Sequence, residues 1–209
     1  MIGVGVGFYL SHHVGKAPFF SIFVIISLLL YVYASYLKRT LLVGNIVISM
    51  LVALSLIIVG VFELIPAMTP LNQQTQTVFF KVILDYALFA FSINLLREIA
   101  KDIEDIDGDY NAGMNTLPIA IGRERAKHVL TILNFIPLAG IIYYVTTSLY
   151  KQPIAVAYFL LFVIGPLIYI SIKTFSASTK KDMHYISNIY KLVMLFGVLS
   201  LLLYLFILS

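Results

Sequence analysis

The chain has 209 residues, 61% of them hydrophobic and 11% charged, with a mean hydropathy of +0.99 and a formal net charge of +4. Soluble globular proteins carry roughly 25% charged residues, so an ordinary water-soluble domain is excluded. This length holds several membrane spans of about 20 residues each and leaves no room for a large soluble domain. Cysteine is absent, which removes disulfide frameworks and thiol chemistry. The modest positive charge calls for no nucleic-acid partner, because orientation in a bilayer and anionic headgroups account for it.

In chain order, the opening Met-Ile-Gly-Val-Gly-Val-Gly has no basic residue ahead of its apolar run, which argues against a cleaved signal peptide. Residues Ile2–Leu10 are apolar but too few to cross a bilayer, and read as the end of a span. Six longer apolar stretches follow, at Phe19–Leu37, Leu41–Phe62, Val78–Leu96, His128–Tyr150, Pro153–Ile172 and Ile186–Leu208. Each is long enough to cross about 30 Å of hydrocarbon at about 1.5 Å per residue. Helices satisfy their own backbone groups in lipid, so the predicted fold is all-α, a multi-span transmembrane helical bundle of six full spans plus the end of a seventh. The whole of 1–209 is expected to form a single transmembrane domain.

The connections alternate in charge. Lys16, Lys81 and Lys151 lie on one side. Lys38, Arg39, Arg97, Lys101, Arg123, Arg125, Lys127, Lys173, Lys180, Lys181 and Lys191 lie on the other. Basic loops stay inside, so an integral, multi-pass protein of the cytoplasmic or inner membrane is expected, with the second set facing the cytoplasm.

That face also holds the densest charge in the sequence. Six of the ten acidic residues, Glu98, Asp102, Glu104, Asp105, Asp107 and Asp109, fall within twelve positions just after the third long span. Crowded carboxylates repel one another and resist desolvation, and a divalent cation with a phosphate behind it would make the cluster worthwhile. On a continuous helix advancing about 100° per residue, Glu98, Asp102, Asp105 and Asp109 fall within about 60° and form one stripe. Mg2+ suits such a stripe, since it is typically held by one or two carboxylates plus substrate phosphates. Arg97 and Lys101 flank the stripe and are placed to meet phosphate oxygens. A solvated helix end is the plain alternative. An EF-hand fails, because its glycine position is Tyr110 and its terminal glutamate position is Thr116. A zinc site lacks nearby His and Cys.

The string from Asp102 through Asp105, Gly108-Asp109, Gly113 and Thr116-Leu117-Pro118 resembles the second aspartate-rich motif of the UbiA-type intramembrane prenyltransferases. Upstream, Tyr31, Tyr33, Tyr36 and Lys38-Arg39, followed by Gly44-Asn45, look like that family's Tyr-and-Lys segment between two spans. The likeness extends over essentially the whole chain as a succession of spans. It implies transfer of a polyprenyl group from a prenyl diphosphate to a lipophilic acceptor, with Mg2+ between two aspartate motifs. Carried onto this sequence, Asp102, Asp105 and Asp109 are the metal ligands of the second motif, and Lys38, Arg39, Arg97 and Lys101 are candidates for the diphosphate oxygens. Tyr33 and Tyr36 are candidates for shielding an allylic cation, because aromatic faces attract cations. Asn45 is a candidate cavity residue, set against a helix-capping role.

The family's first, Asn/Asp-rich motif has no counterpart, since the remaining Asp residues, Asp85 and Asp182, sit in no such pattern. The expectation is that the chain lacks the first two of nine spans and does not turn over prenyl diphosphate alone. Asp85 and Asn94 lie within a span, where ionisable groups are functional candidates by default, but Asp85 sits near the outer end and reads as an interhelical hydrogen-bonding residue ahead of a catalytic one. His12 and His13 read as interfacial, and His128 and His184 as headgroup contacts. The acceptor expected from general resemblance is geranylgeranylglycerol phosphate, with an aromatic acceptor of the 4-hydroxybenzoate or naphthoate type as the alternative. A non-catalytic membrane protein or transporter fragment is the reading of another class. Against it, a transporter would show broken or charged mid-membrane helices and paired repeats.

Overall fold

A computed structural model of the chain describes residues 2–203. Among these the secondary structure is entirely helical, with ten α-helices: α1 (Ile2–His13), α2 (Phe20–Ser35), α3 (Val43–Leu64), α4 (Gln73–Glu104), α5 (Ile106–Asn111), α6 (Leu117–Ile121), α7 (Arg123–Tyr144), α8 (Pro153–Phe159), α9 (Gly165–Ser176) and α10 (Lys180–Leu199). Wide π-turns extend α7 at Val145–Leu149 and join α8 to α9 at Leu160–Ile164, while short 3-10 segments occur at Ala17–Phe19, Leu37–Arg39 and Ser200–Leu203. The described residues contain six stretches long and apolar enough to cross a membrane: Ala17–Ser35, Val43–Leu64, Gln73–Glu104, Arg123–Leu149, Pro153–Ser176 and Lys180–Leu203. They coincide with the six predicted spans. The part of the last prediction beyond Leu203 lies outside the described residues.

Several boundaries moved for a clear reason. Apolar runs report where lipid is, whereas a helix continues wherever its backbone bonds can continue. So α4 starts at Gln73 and runs to Glu104, well past the apolar limits of Val78 and Leu96. Similarly, α7 begins at Arg123, directly after Gly122, whose φ of +88° turns the chain out of α6.

The chain divides into two compact units, Met1–Leu88 and Phe89–Ser209, and the boundary falls within α4. In the first unit α1 packs on α2 at Gly7, where an added Cβ would lie 2.3 Å from the Phe23 ring. Phe62 of α3 meets Phe19 and Phe23 edge-to-face, with centroids 5.1 and 5.6 Å apart. The turn Leu37–Arg39 folds back on the start of α3. Gly44 makes this possible, since a Cβ there would sit 2.4 Å from the Leu37 carbonyl oxygen.

In the second unit the core is built from fully buried Ile99 and Ile103 of α4, Leu130 of α7, Leu167 and Ile170 of α9, and Ile186, Tyr190 and Val193 of α10. One polar node crosses it. The Asn134 side-chain amide donates to the Leu167 carbonyl at 2.9 Å and to the Ser171 hydroxyl at 2.8 Å, and the Tyr190 hydroxyl donates to Asn134 Oδ1 at 3.0 Å. Every side chain in the node is buried. Polar groups in a lipid-embedded core survive only when paired in this way.

Candidate functional site

The acidic run occupies the C-terminal end of α4 and all of α5, in the second unit. One expectation is corrected here: the helix is not continuous through the run. It breaks at Asp105, where φ is −101° and ψ is 12°, and α5 begins afresh at Ile106. The bonds from Asp105 N–H to the Lys101 carbonyl and from Asp109 N–H to the Asp105 carbonyl, each 2.9 Å, hold the two pieces in succession. Asp favours caps and turns over helix interiors, and four neighbouring carboxylates add mutual repulsion, so the interruption falls at a physically weak point. Asp102, Asp105 and Asp109 are each half-buried.

The surrounding ion pairs are specific. Arg97 Nη1 donates to Glu98 Oε1 at 2.6 Å, and Lys101 Nζ lies 4.0 Å from Glu98 Oε2. Lys180 Nζ donates to Asp105 Oδ1 at 2.7 Å, and His184 Nδ1 lies 2.9 Å from Glu104 Oε1. Arg123 reaches Asp107 Oδ2 at 3.3 Å. The Nε of Arg97 is buried and has no hydrogen-bond partner among the described residues. A buried guanidinium nitrogen without an acceptor is costly, and it suits a site built to receive an oxyanion.

After α5 the chain reverses at Gly113, whose φ is +67°, and the Met114 N–H bonds back to the Asp109 carbonyl at 2.9 Å. Thr116 then stands at the start of α6, with Pro118 in its first turn. The Gly108-Asp109…Gly113…Thr116-Leu117-Pro118 string is therefore a helix, a left-handed stop and a new helix start in quick succession. A cleft of about 460 Å³ opens between α5 and α6, lined by Asp107, Tyr110, Asn111, Pro118 and Ile119.

The remaining predicted residues lie in the first unit. Lys38 and Arg39 are exposed on the 3-10 turn between α2 and α3. Tyr33 is half-buried near the end of α2, and Tyr36 is exposed just after it. Asn45 is buried in the first turn of α3, and its carbonyl accepts from the Ser49 hydroxyl at 2.6 Å. It is not the N-cap, a place taken by Leu42.

Sequence reasoning missed Lys180 and His184. His184 reads as a headgroup contact in isolation, but it sits against Glu104. The signal available was topological: the start of the last span carries three basic residues within reach of the same membrane face as the acidic run. His128, by contrast, bonds the Glu124 carbonyl at 2.7 Å and meets Phe175 edge-on.

The family model for the UbiA prenyltransferase family matches residues 1–195. The chain belongs to this family. UbiA membership and six long apolar helices together make it an integral membrane protein. Among its relatives is the digeranylgeranylglyceryl phosphate synthase of Methanosphaera stadtmanae, 28% identical over 204 residues, covering 96% of this chain and 66% of the relative. Proteins of the same name from Methanopyrus kandleri and Korarchaeum cryptofilum are 40% identical over 106 residues and 37% over 139. They align with 51% and 61% of this chain and with 34% and 45% of their own lengths. The chain thus spans about two thirds or less of the length of these relatives. No solved structure matches it.

The donor chemistry of the acidic end suits the Mg2+ that the family implies, because every candidate ligand is a carboxylate oxygen. Among the described residues no group of three or more His, Asp or Glu side chains is gathered closely enough to hold a metal ion. A divalent metal there would therefore draw on one or two of these carboxylates.

Proposed function

We propose that this chain carries the second aspartate motif of a membrane prenyltransferase that moves a polyprenyl group from its diphosphate onto a lipophilic acceptor. The observation that carries the reading is the acidic end of α4, beside the buried, unpartnered Nε of Arg97, in a chain of the UbiA family. One or two of the carboxylates Asp102, Asp105 and Asp109 would hold Mg2+, which when bound would offset the charge of the diphosphate leaving group. Arg97 and Lys101 bind phosphate oxygens that the cation leaves free. Negative charge grows on the leaving oxygen as the allylic C–O bond breaks, so these cations are worth more in the transition state than in the ground state. Glu98 takes Arg97 Nη1, and the buried Nε, which has no hydrogen-bond partner among the described residues, is left for the ligand. Lys38 and Arg39 keep the role the resemblance gives them as further phosphate contacts. Tyr33 and Tyr36 keep theirs as aromatic faces for the allylic cation, and Asn45 its place as a cavity residue. The acceptor hydroxyl then takes the prenyl carbon and loses its proton. That the whole chain works as one domain, with the acidic end on the cytoplasmic side, belongs to the same proposal.

For the acceptor we favour geranylgeranylglyceryl phosphate, since the relatives reported above bear the name digeranylgeranylglyceryl phosphate synthase. The test is transfer of labelled geranylgeranyl diphosphate by the complete gene product in lipid nanodiscs, with Mg2+, to that acceptor and to 4-hydroxybenzoate in parallel. Product with the first alone supports the reading, and product with the second alone replaces it with aromatic prenylation. Asp102→Asn with Asp105→Asn is expected to lower transfer at least about 100-fold, in line with loss of transition-state electrostatics. Unchanged Mg2+-dependent transfer in that variant refutes the role given to the acidic end.

A further inference from the structure

The contact between Lys180 and Asp105 joins residues 75 positions apart and brings a cation onto a carboxylate that the proposed function assigns to Mg2+. Three observations make this contact a built one. First, the linker ahead of α10 and the first turn of α10 are anchored from two helices: the buried Lys127 of α7 donates to the Ala177 carbonyl at 2.6 Å, and Lys173 of α9 pairs with Asp182 at 3.3 Å. Second, α10 opens on a complete capping box, in which the Thr179 hydroxyl accepts from the Asp182 N–H and the Asp182 carboxylate accepts from the Thr179 N–H. Lys180 follows that cap directly, so its backbone is fixed. Third, His184 lies one turn further along the same helix face and meets Glu104 at 2.9 Å, so the first two turns of α10 hold both carboxylates that flank the end of α4.

A metal held by Asp105 would compete for the carboxylate to which the Lys180 ammonium donates its hydrogen bond. Two cations on one carboxylate repel, so each weakens the other's hold on Asp105. We propose that Lys180 is a resident counter-cation of Asp105, which a divalent metal must displace, so that metal loading of the acidic end and release of the Lys180 side chain are coupled. The ion pair offsets part of the repulsion within the carboxylate run, and metal entry at Asp105 competes with it. Asp105 is suited to the exchange because it lies at the break between α4 and α5, with a side chain 48% exposed, and Lys180 is 66% exposed. This inference rests on the reading of Asp105 as a metal ligand.

Mn2+ alone is the probe, added to the protein in nanodiscs. Binding is read by loss of the free-ion electron paramagnetic resonance signal. The state of Lys180 is read by acylation with an amine-reactive ester and mass spectrometry, with the adjacent exposed Lys181 as internal control. Lys180 acylation is expected to rise at least about twofold on Mn2+ addition while Lys181 stays constant. Lys180→Met is expected to bind Mn2+ about fivefold more tightly, at the low end of ordinary coupling between sites, and Lys180→Arg is expected to bind like the native chain. If Mn2+ binds natively and is weakened by Asp105→Asn, but Lys180 acylation does not move, the displacement is refuted and the metal reading stands. A gain in Lys180→Met without that movement is simple charge removal and also refutes it. If Mn2+ binding ignores Asp105→Asn, the metal reading falls, and this inference falls with it.

Discussion

At the scale of single residues, Asn134 shows how an apolar chain spends its few polar groups. One amide serves three helices of the second unit, taking the Tyr190 hydroxyl and giving to Leu167 and Ser171. Such bonds within membranes are each worth about 1 kcal/mol, because the separated helices also find partners. Tyr190→Phe removes one bond and is expected to cost about 1 kcal/mol, whereas Asn134→Ala removes three bonds and strips the buried Tyr190 hydroxyl of its partner, although the Ser171 hydroxyl keeps its bond to the Leu167 carbonyl, and is expected to cost about 2 kcal/mol. Unfolding in detergent by denaturant titration measures the difference, and equal losses would contradict this ordering. None of the three partners of Asn134 is visible in the sequence, since each contact spans more than thirty positions.

Individual elements are governed by their ends. Gly44 allows the Leu37–Arg39 turn to lie against α3, and any Cβ at that position meets a backbone oxygen that cannot step aside. Gly44→Ala is therefore expected to displace the turn that carries Lys38 and Arg39 and to lower the melting temperature of the chain in detergent. Gly140→Ala, where an added Cβ touches nothing, is the matched control and is expected to be neutral or slightly stabilising. At α10, Thr179→Ala removes a capping box worth about 1 kcal/mol. Faster amide hydrogen exchange confined to the first turn of α10 is the expected sign. The run of carboxylates was legible in the sequence as a cluster, but its geometry was not. Periodicity assumes an unbroken helix, and Asp105 breaks it, so the stripe becomes two short pieces joined at a cap.

For the molecule as a whole, the chain contains no cysteine, so single introduced cysteines report topology without background. With the acidic end inside, Ala112→Cys is expected to react with an impermeant thiol reagent only from the cytoplasmic face, and Lys151→Cys only from the opposite face. The reverse pattern overturns the orientation drawn from the alternation of basic loops.

What the sequence determined by itself was the set of spans, the concentration of carboxylates at one helix end and the family motif that continues through Gly113 to Pro118. These are local properties: run length, charge density and residue spacing are written along the chain and need no partner to be read. Only the tertiary structure decided which charges meet. Lys180 on Asp105, His184 on Glu104 and Lys127 on the Ala177 carbonyl join positions 50 to 80 residues apart. Such pairs form because helices packed by their apolar faces bring these side chains together, and that packing has no period that a linear sequence displays.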